Sequence, residues 1–159
     1  MYGLLENNLQ TFRLILVSLT LCMFSQCVSP AMSDECREFF SRPLGEHGRI
    51  ISSYPLQKQL RIYRCALDRR PPERSLAIYI ADGGEQAIPV LMEKLETEKD
   101  ELSQYGIIDI LEVMSEKGTL RDKPDIVDRI RQVVAKMKLH TFREMSEESL
   151  KEIEKNSHD

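Results

Sequence analysis

A chain of 159 residues is long enough for one domain and short for two. Hydrophobic residues make up 42% and charged residues 30%, which provides for a packed core under a water-facing surface. Five Phe, five Tyr and no Trp argue against a large aromatic binding groove, and a formal net charge of -4 gives no general pull toward nucleic acid.

Residues 14–24 read Leu-Ile-Leu-Val-Ser-Leu-Thr-Leu-Cys-Met-Phe, an uncharged apolar run. Its length suits the h-region of a signal peptide, about 7–15 residues. A membrane-spanning helix needs about 20, and Ser25-Gln26 interrupts the run too soon for that. Ser29-Pro30-Ala31 then supplies small residues for a cleavage site. The predicted signal segment is therefore 1–31, with Arg13 as its single basic residue and Glu6 opposing it. The competing reading of this run is a buried core helix. Phe24-Ser25-Gln26-Cys27 also resembles a bacterial lipobox, with Gln26 where a small residue is usual. On that route the segment ends at 26, Cys27 is lipidated, and two acyl chains hold the domain to a membrane. An uncleaved anchor is the third route.

The exported domain spans 32–156 and is expected to be all-α. Of the four cysteines, it keeps Cys36 and Cys65, an even pair in an oxidising compartment. A disulfide between them would tie the short first helix to the first long one. The alternative is two packed thiols. A short helix is expected at 34–41, with Ser33 as its cap. A loop follows over 42–48, punctuated by Pro43, Gly45 and Gly48. Ser53 and Pro55 mark a helix start, and Leu56, Leu60, Tyr63 and Leu67 recur on one apolar face. Arg69-Arg70-Pro71-Pro72 ends it, and a second helix carries Leu76 and Ile80 to a glycine cap at Gly83-Gly84.

The third helix is expected over 85–98, with Ile88, Leu91 and Leu95 inward and Pro89 tolerated near its first turn. A fourth covers 100–116 with Ile107, Ile108, Leu111 and Met114, and Gly118 closes it. Pro124 opens a fifth, in which Ile126, Ile130, Val133 and Met137 repeat the spacing. The tail from Met145 has Ser146 as a cap and only Leu150 and Ile153 as strong anchors, so it is expected to dock loosely. No stretch alternates with period two.

Ala87-Ile88-Pro89-Val90-Leu91-Met92-Glu93-Lys94-Leu95 is similar to the first helix of a HEAT repeat. Asp100, Leu102, Ile107, Ile108 and Leu111 resemble the second helix after its acidic turn. The resemblance covers about one repeat, 84–116. It departs from the family at Ser103 or Gln104, where Arg is common, and at Gly106, where Ala is preferred. It implies a small HEAT-like bundle of antiparallel helix pairs that serves as a binding module.

The sequence offers little chemistry. His47, His140 and His158 do not pair with each other or with a cysteine at metal-ligand spacing. No nucleophile elbow, P-loop or dinucleotide fingerprint occurs, so neither a catalytic residue nor a cofactor is assigned. Arg61, Arg64, Arg69, Arg70 and Arg74 form one basic cluster. It reads either as a solvated face with local pairing to Glu73 or as a patch for an acidic partner or phospholipid headgroups. The sequence thus predicts an exported, periplasmic or secreted module that binds another protein through a helix-pair surface, with nucleic acid excluded by export and charge. The rivals are a small envelope enzyme with a site of scattered residues and a structural lipoprotein anchored through Cys27.

Overall fold

A computed structural model describes residues 32–158. The expected signal segment and the lipidation site at Cys27 lie outside the described residues. Those described form eight α-helices and no strand. They are α1 (Asp34–Phe40), α2 (His47–Ser52), α3 (Leu56–Leu67), α4 (Leu76–Ala81), α5 (Ile88–Thr97), α6 (Glu101–Glu116), α7 (Pro124–Val134) and α8 (His140–His158), with 3-10 turns at Leu44–Glu46 and Gly84–Ala87.

Helix α6 is the centre of the fold. Every residue from Tyr105 to Leu111 is buried, so the helix is covered on all sides. It packs against α3, α4, α5 and α8. Its ends are fixed by sequence. Asp100 is the N-cap and accepts a hydrogen bond from the Ser103 backbone N–H at 3.2 Å. At the other end Gly118 takes φ 73°, and Thr119 and Gly118 donate to the carbonyls of Met114 and Ser115. That pair of bonds is a Schellman cap, and the left-handed conformation is what glycine provides there.

The apolar stripes place the other helices. Ile88, Leu91 and Leu95 of α5 are buried, and so are Ile126, Ile130 and Val133 of α7. The inward face of α3 is rotated from the expected one. Ile62, Tyr63, Ala66 and Leu67 are buried, whereas Leu56 and Leu60 are only partly covered. The sulfurs of Cys36 and Cys65 are bonded, which joins α1 to α3 across 29 positions of sequence. Beside the disulfide, Arg61 donates from two nitrogens to the two carboxylate oxygens of Glu35, at 3.0 and 3.2 Å.

Two segments differ from their expected states. The stretch 42–48 is not a plain loop, because His47 and Gly48 open α2 and Ile51 of the same helix enters the core. Gly48 has no side chain, so the Tyr79 ring can lie directly over its backbone, where a Cβ would collide with the ring. The tail is not loosely docked: α8 runs 19 residues and packs along α6 and α7. The helix starts at His140, so Ser146, expected as its cap, lies inside it and is buried with Ser149, and Phe142 and Met145, ahead of the expected start or at it, pack on the core. Asn156 adds a hydrogen bond to the Ser115 hydroxyl at 3.2 Å.

Candidate functional site

A cleft of 440 Å³ opens between the 3-10 turn at Leu44, the start of α2 and the start of α4. Its apolar walls are Leu44, which is 70% exposed, and Tyr79, which is 41% exposed. Ile78 stands beside Tyr79 in α4 and is 49% exposed. Its polar side comes from His47, Glu73, Arg74 and Ser75. The residues of the cleft come from two stretches, 44–48 and 72–79, and packing of α2 on α4 brings them together.

Behind the cleft lies a charged network that ties α3 and α6 to the chain entering α4. Asp109 of α6 is 4% exposed. The Tyr63 hydroxyl donates to one of its carboxylate oxygens and the Arg74 guanidinium to the other. A carboxylate in that position would be costly without such donors. Burial first, and then the Asp109 charge, pushes the Tyr63 phenol far above its usual range. The hydrogen bond to Asp109 is the largest cause that raises the Arg74 guanidinium further above its already high value. The Arg74 guanidinium carbon also lies 5.7 Å from the centre of the Tyr105 ring. Burial and the Asp109 charge push the Tyr105 phenol up to about 12. Its hydroxyl is buried and meets no hydrogen-bond partner among the described residues.

His47 is 3% exposed and sits against Phe39 and Phe40 of α1. Its Nδ1 lies 2.9 Å from the Glu73 carboxylate and its Nε2 3.0 Å from the Arg42 carbonyl oxygen. Both ring nitrogens are engaged by these two neighbours. Neither nitrogen is turned to the cleft without a partner. Tyr63 is held as the neutral phenol, and Arg74 is a fixed cation. The arrangement therefore binds and orients a negatively charged or polar group more readily than it moves a proton. No group of three His, Cys, Asp or Glu residues is placed to hold a metal ion among the described residues.

The five arginines of the basic cluster are spread over different partners. Arg61 holds Glu35, and Arg64 holds Asp100 at 2.6 Å and Asp68 at 3.7 Å. Arg69 lies 4.3 Å over the Phe40 ring, and Arg74 holds Asp109. Arg70 is exposed and makes no ion pair among the described residues. Glu73 pairs across the cleft to His47 and not with a neighbouring arginine. Cys36 and Cys65 lie at the α1–α3 contact and do not line the cleft.

Sequence reasoning did not single out Asp109, Glu73 as a partner of His47, or the Leu44–Tyr79 face. One signal for Asp109 is visible: it stands inside Ile107-Ile108-Asp109-Ile110-Leu111, where a charge on a helix covered all round demands a buried partner. No helix of the described residues is long and apolar enough to cross a membrane. No family model, curated protein or solved structure matches the chain.

Proposed function

We propose that this chain is an exported, non-catalytic helical module that binds another protein through the surface of α2 and α4. The observation that carries the reading is the exposure of Leu44 and Tyr79 on the walls of a cleft whose own charged groups are already paired, with Ile78 exposed at the next position of α4. Large apolar side chains gathered on one face favour association, and aromatic residues with a polar tip suit an interface. The ionisable groups behind the face are tied to one another, which suits a rigid binding surface better than proton transfer. The Cys36–Cys65 bond fits an oxidising compartment, as does the apolar run at 14–24. In this reading α5 and α6 are a single HEAT-like pair that supports the binding face from behind.

Affinity capture from the envelope fraction of the native host tests the binding face, with the wild-type protein and Leu44→Asp/Ile78→Asp as paired baits. A protein retained by the wild type and lost by the double variant supports the reading. Retention by both, or by neither, overturns it. Intact mass of the protein from the same host tests export, since processing should remove the first 26 to 31 residues. A full-length species would refute export.

A further inference from the structure

Helix α1 stands apart in what holds it. It has seven residues, and a helix shorter than about 12–15 residues is marginal without packing. Two of its side chains are buried, Cys36 and Phe39. Glu35 reaches Arg61 and Lys58 of α3, at 3.0 and 3.6 Å, in a partly exposed cluster of the kind that contributes little. The ion pairs Arg37–Asp34 and Glu38–Arg42 lie within the helix or in the turn after it. The Cys36–Cys65 bond is the covalent tie to α3. The centre of the fold does not pass through α1, since α6 packs against α3, α4, α5 and α8.

What α1 covers is His47. The Phe39 and Phe40 rings lie 4.7 and 5.6 Å from the buried imidazole. The same imidazole meets the carboxylate of Glu73, in the stretch that leads into α4. Of the two bonded cysteines, Cys36 is buried and Cys65 is the more open. A dithiol therefore reaches the bond at Cys65. Its thiolate attacks the Cys65 sulfur, and Cys36 leaves as a thiolate. The second thiol of the reductant then displaces Cys65 from the mixed disulfide. Two electrons and two protons pass from the reductant to the cysteines, and the reductant leaves as a disulfide.

We infer that the Cys36–Cys65 bond is a redox latch on α1: oxidised, it seats α1 over His47, and reduced, it lets residues 34–42 leave as a unit while the other helices stay packed. A segment with few buried contacts opens locally before the rest of a fold does. The bond opposes that opening by keeping Cys36 beside Cys65 when the helix would otherwise part from α3. The latch is closed where disulfides persist and opens against a reduced dithiol pool. Opening takes both rings off His47, and so gives the cleft wall formed by His47 and Glu73 a second state. The inference goes beyond the binding face proposed above and does not rest on it.

Amide hydrogen exchange read by mass spectrometry tests this on the full chain, with and without dithiothreitol. On reduction, exchange in 34–42 should rise about tenfold or more, with 101–116 in α6 unchanged. Carbethoxylation of His47 by diethyl pyrocarbonate should rise by a similar factor relative to His140, whose side chain is 71% exposed and serves as the reference. Cys36→Ala/Cys65→Ala should show both changes without reductant, which separates loss of the bond from any other action of dithiothreitol. Equal protection of 34–42 in oxidised and reduced protein would overturn the inference, because packing alone would then hold α1. So would a rise that extends through 101–116, which would make the bond a staple of the whole domain. A His47 that stays unreactive after 34–42 loses protection would overturn it as well.

Discussion

Tyr63→Phe should make the protein less stable at neutral pH and at the same time less sensitive to alkali. The substitution removes one oxygen from a side chain that is 1% exposed and alters the volume of the core very little. What it takes away is the donor to one oxygen of Asp109. A hydrogen bond to a charged group contributes about 1.5–3 kcal/mol, and a buried carboxylate oxygen left without a donor keeps its full desolvation cost. Loss of about 2 kcal/mol at pH 7 is therefore expected. The alkaline effect has the opposite sign. In the unfolded chain Tyr63 ionises near its ordinary 10.0, whereas in the fold burial and Asp109 hold it neutral well beyond that. The raised value means that stability is fully present below about pH 10 and falls as pH rises toward the folded value. From about pH 9 to about pH 11 the unfolded phenol gains about 1.4 kcal/mol by ionising. Tyr105, held up to about 12, adds a similar loss. The parent should lose roughly 3 kcal/mol from these two phenols over that interval and Tyr63→Phe roughly half as much. Urea melts at the three pH values, with tyrosinate absorbance near the midpoint, measure both quantities. Groups common to the two proteins cancel in the difference. Equal alkaline losses would refute the placement of Tyr63 against Asp109, and so would an unchanged midpoint at pH 7.

The other expectations concern packing, the disulfide and a helix cap. Leu91→Ala and Leu111→Ala, each at a side chain with no exposed surface, should cost on the order of 2–5 kcal/mol. Glu93→Ala, on the exposed side of α5, should stay within about 0.5 kcal/mol in the same chemical melts, and similar midpoints for all three variants would contradict the core described above. Reduction of Cys36–Cys65 should lower stability by about 3–4 kcal/mol on the loop-entropy estimate, read as the shift in Tm with and without dithiothreitol; no shift would mean the bond is not formed. Asp100→Ala should cost about 1 kcal/mol, because it removes the α6 cap and the partner of Arg64. Burial pushes the Asp100 carboxyl up, but hydrogen bonds from Ser103 and Arg64 hold it below the usual 3.8. The stability it supplies is therefore present above about pH 4 and lost as pH falls through the lower folded value, so parent and variant should converge in acid. A gap between them that persists in acid would show that the effect is not the carboxylate's.

How much of this was legible in the sequence depends on the range of the interaction concerned. Periodicity and caps act over a few residues. Ile88, Leu91 and Leu95, the Asp100 cap and the Gly118 stop are therefore found where the pattern puts them. The disulfide was legible for another reason: once export is assumed, only two cysteines remain to pair. The cleft depends on contacts between segments distant in sequence. His47 meets Glu73 across 26 positions and Tyr63 meets Asp109 across 46, and no local spacing encodes either. Gly106 is another position whose setting is made by a distant segment. A Cβ there would lie 2.7 Å from Leu67 Cδ1 of α3. Alanine would gain about 0.8–1 kcal/mol in helix propensity, while overpacking a close contact costs about 1–3 kcal/mol. The tip of the Leu67 side chain would have to shift for alanine to fit, so the two effects are of similar size, and at this point α3 comes close enough to α6 for Tyr63 to reach Asp109. Gly106 and the buried network behind the cleft thus lie at one close approach of two helices, whose contacting residues Tyr63 and Asp109 stand 46 positions apart in sequence.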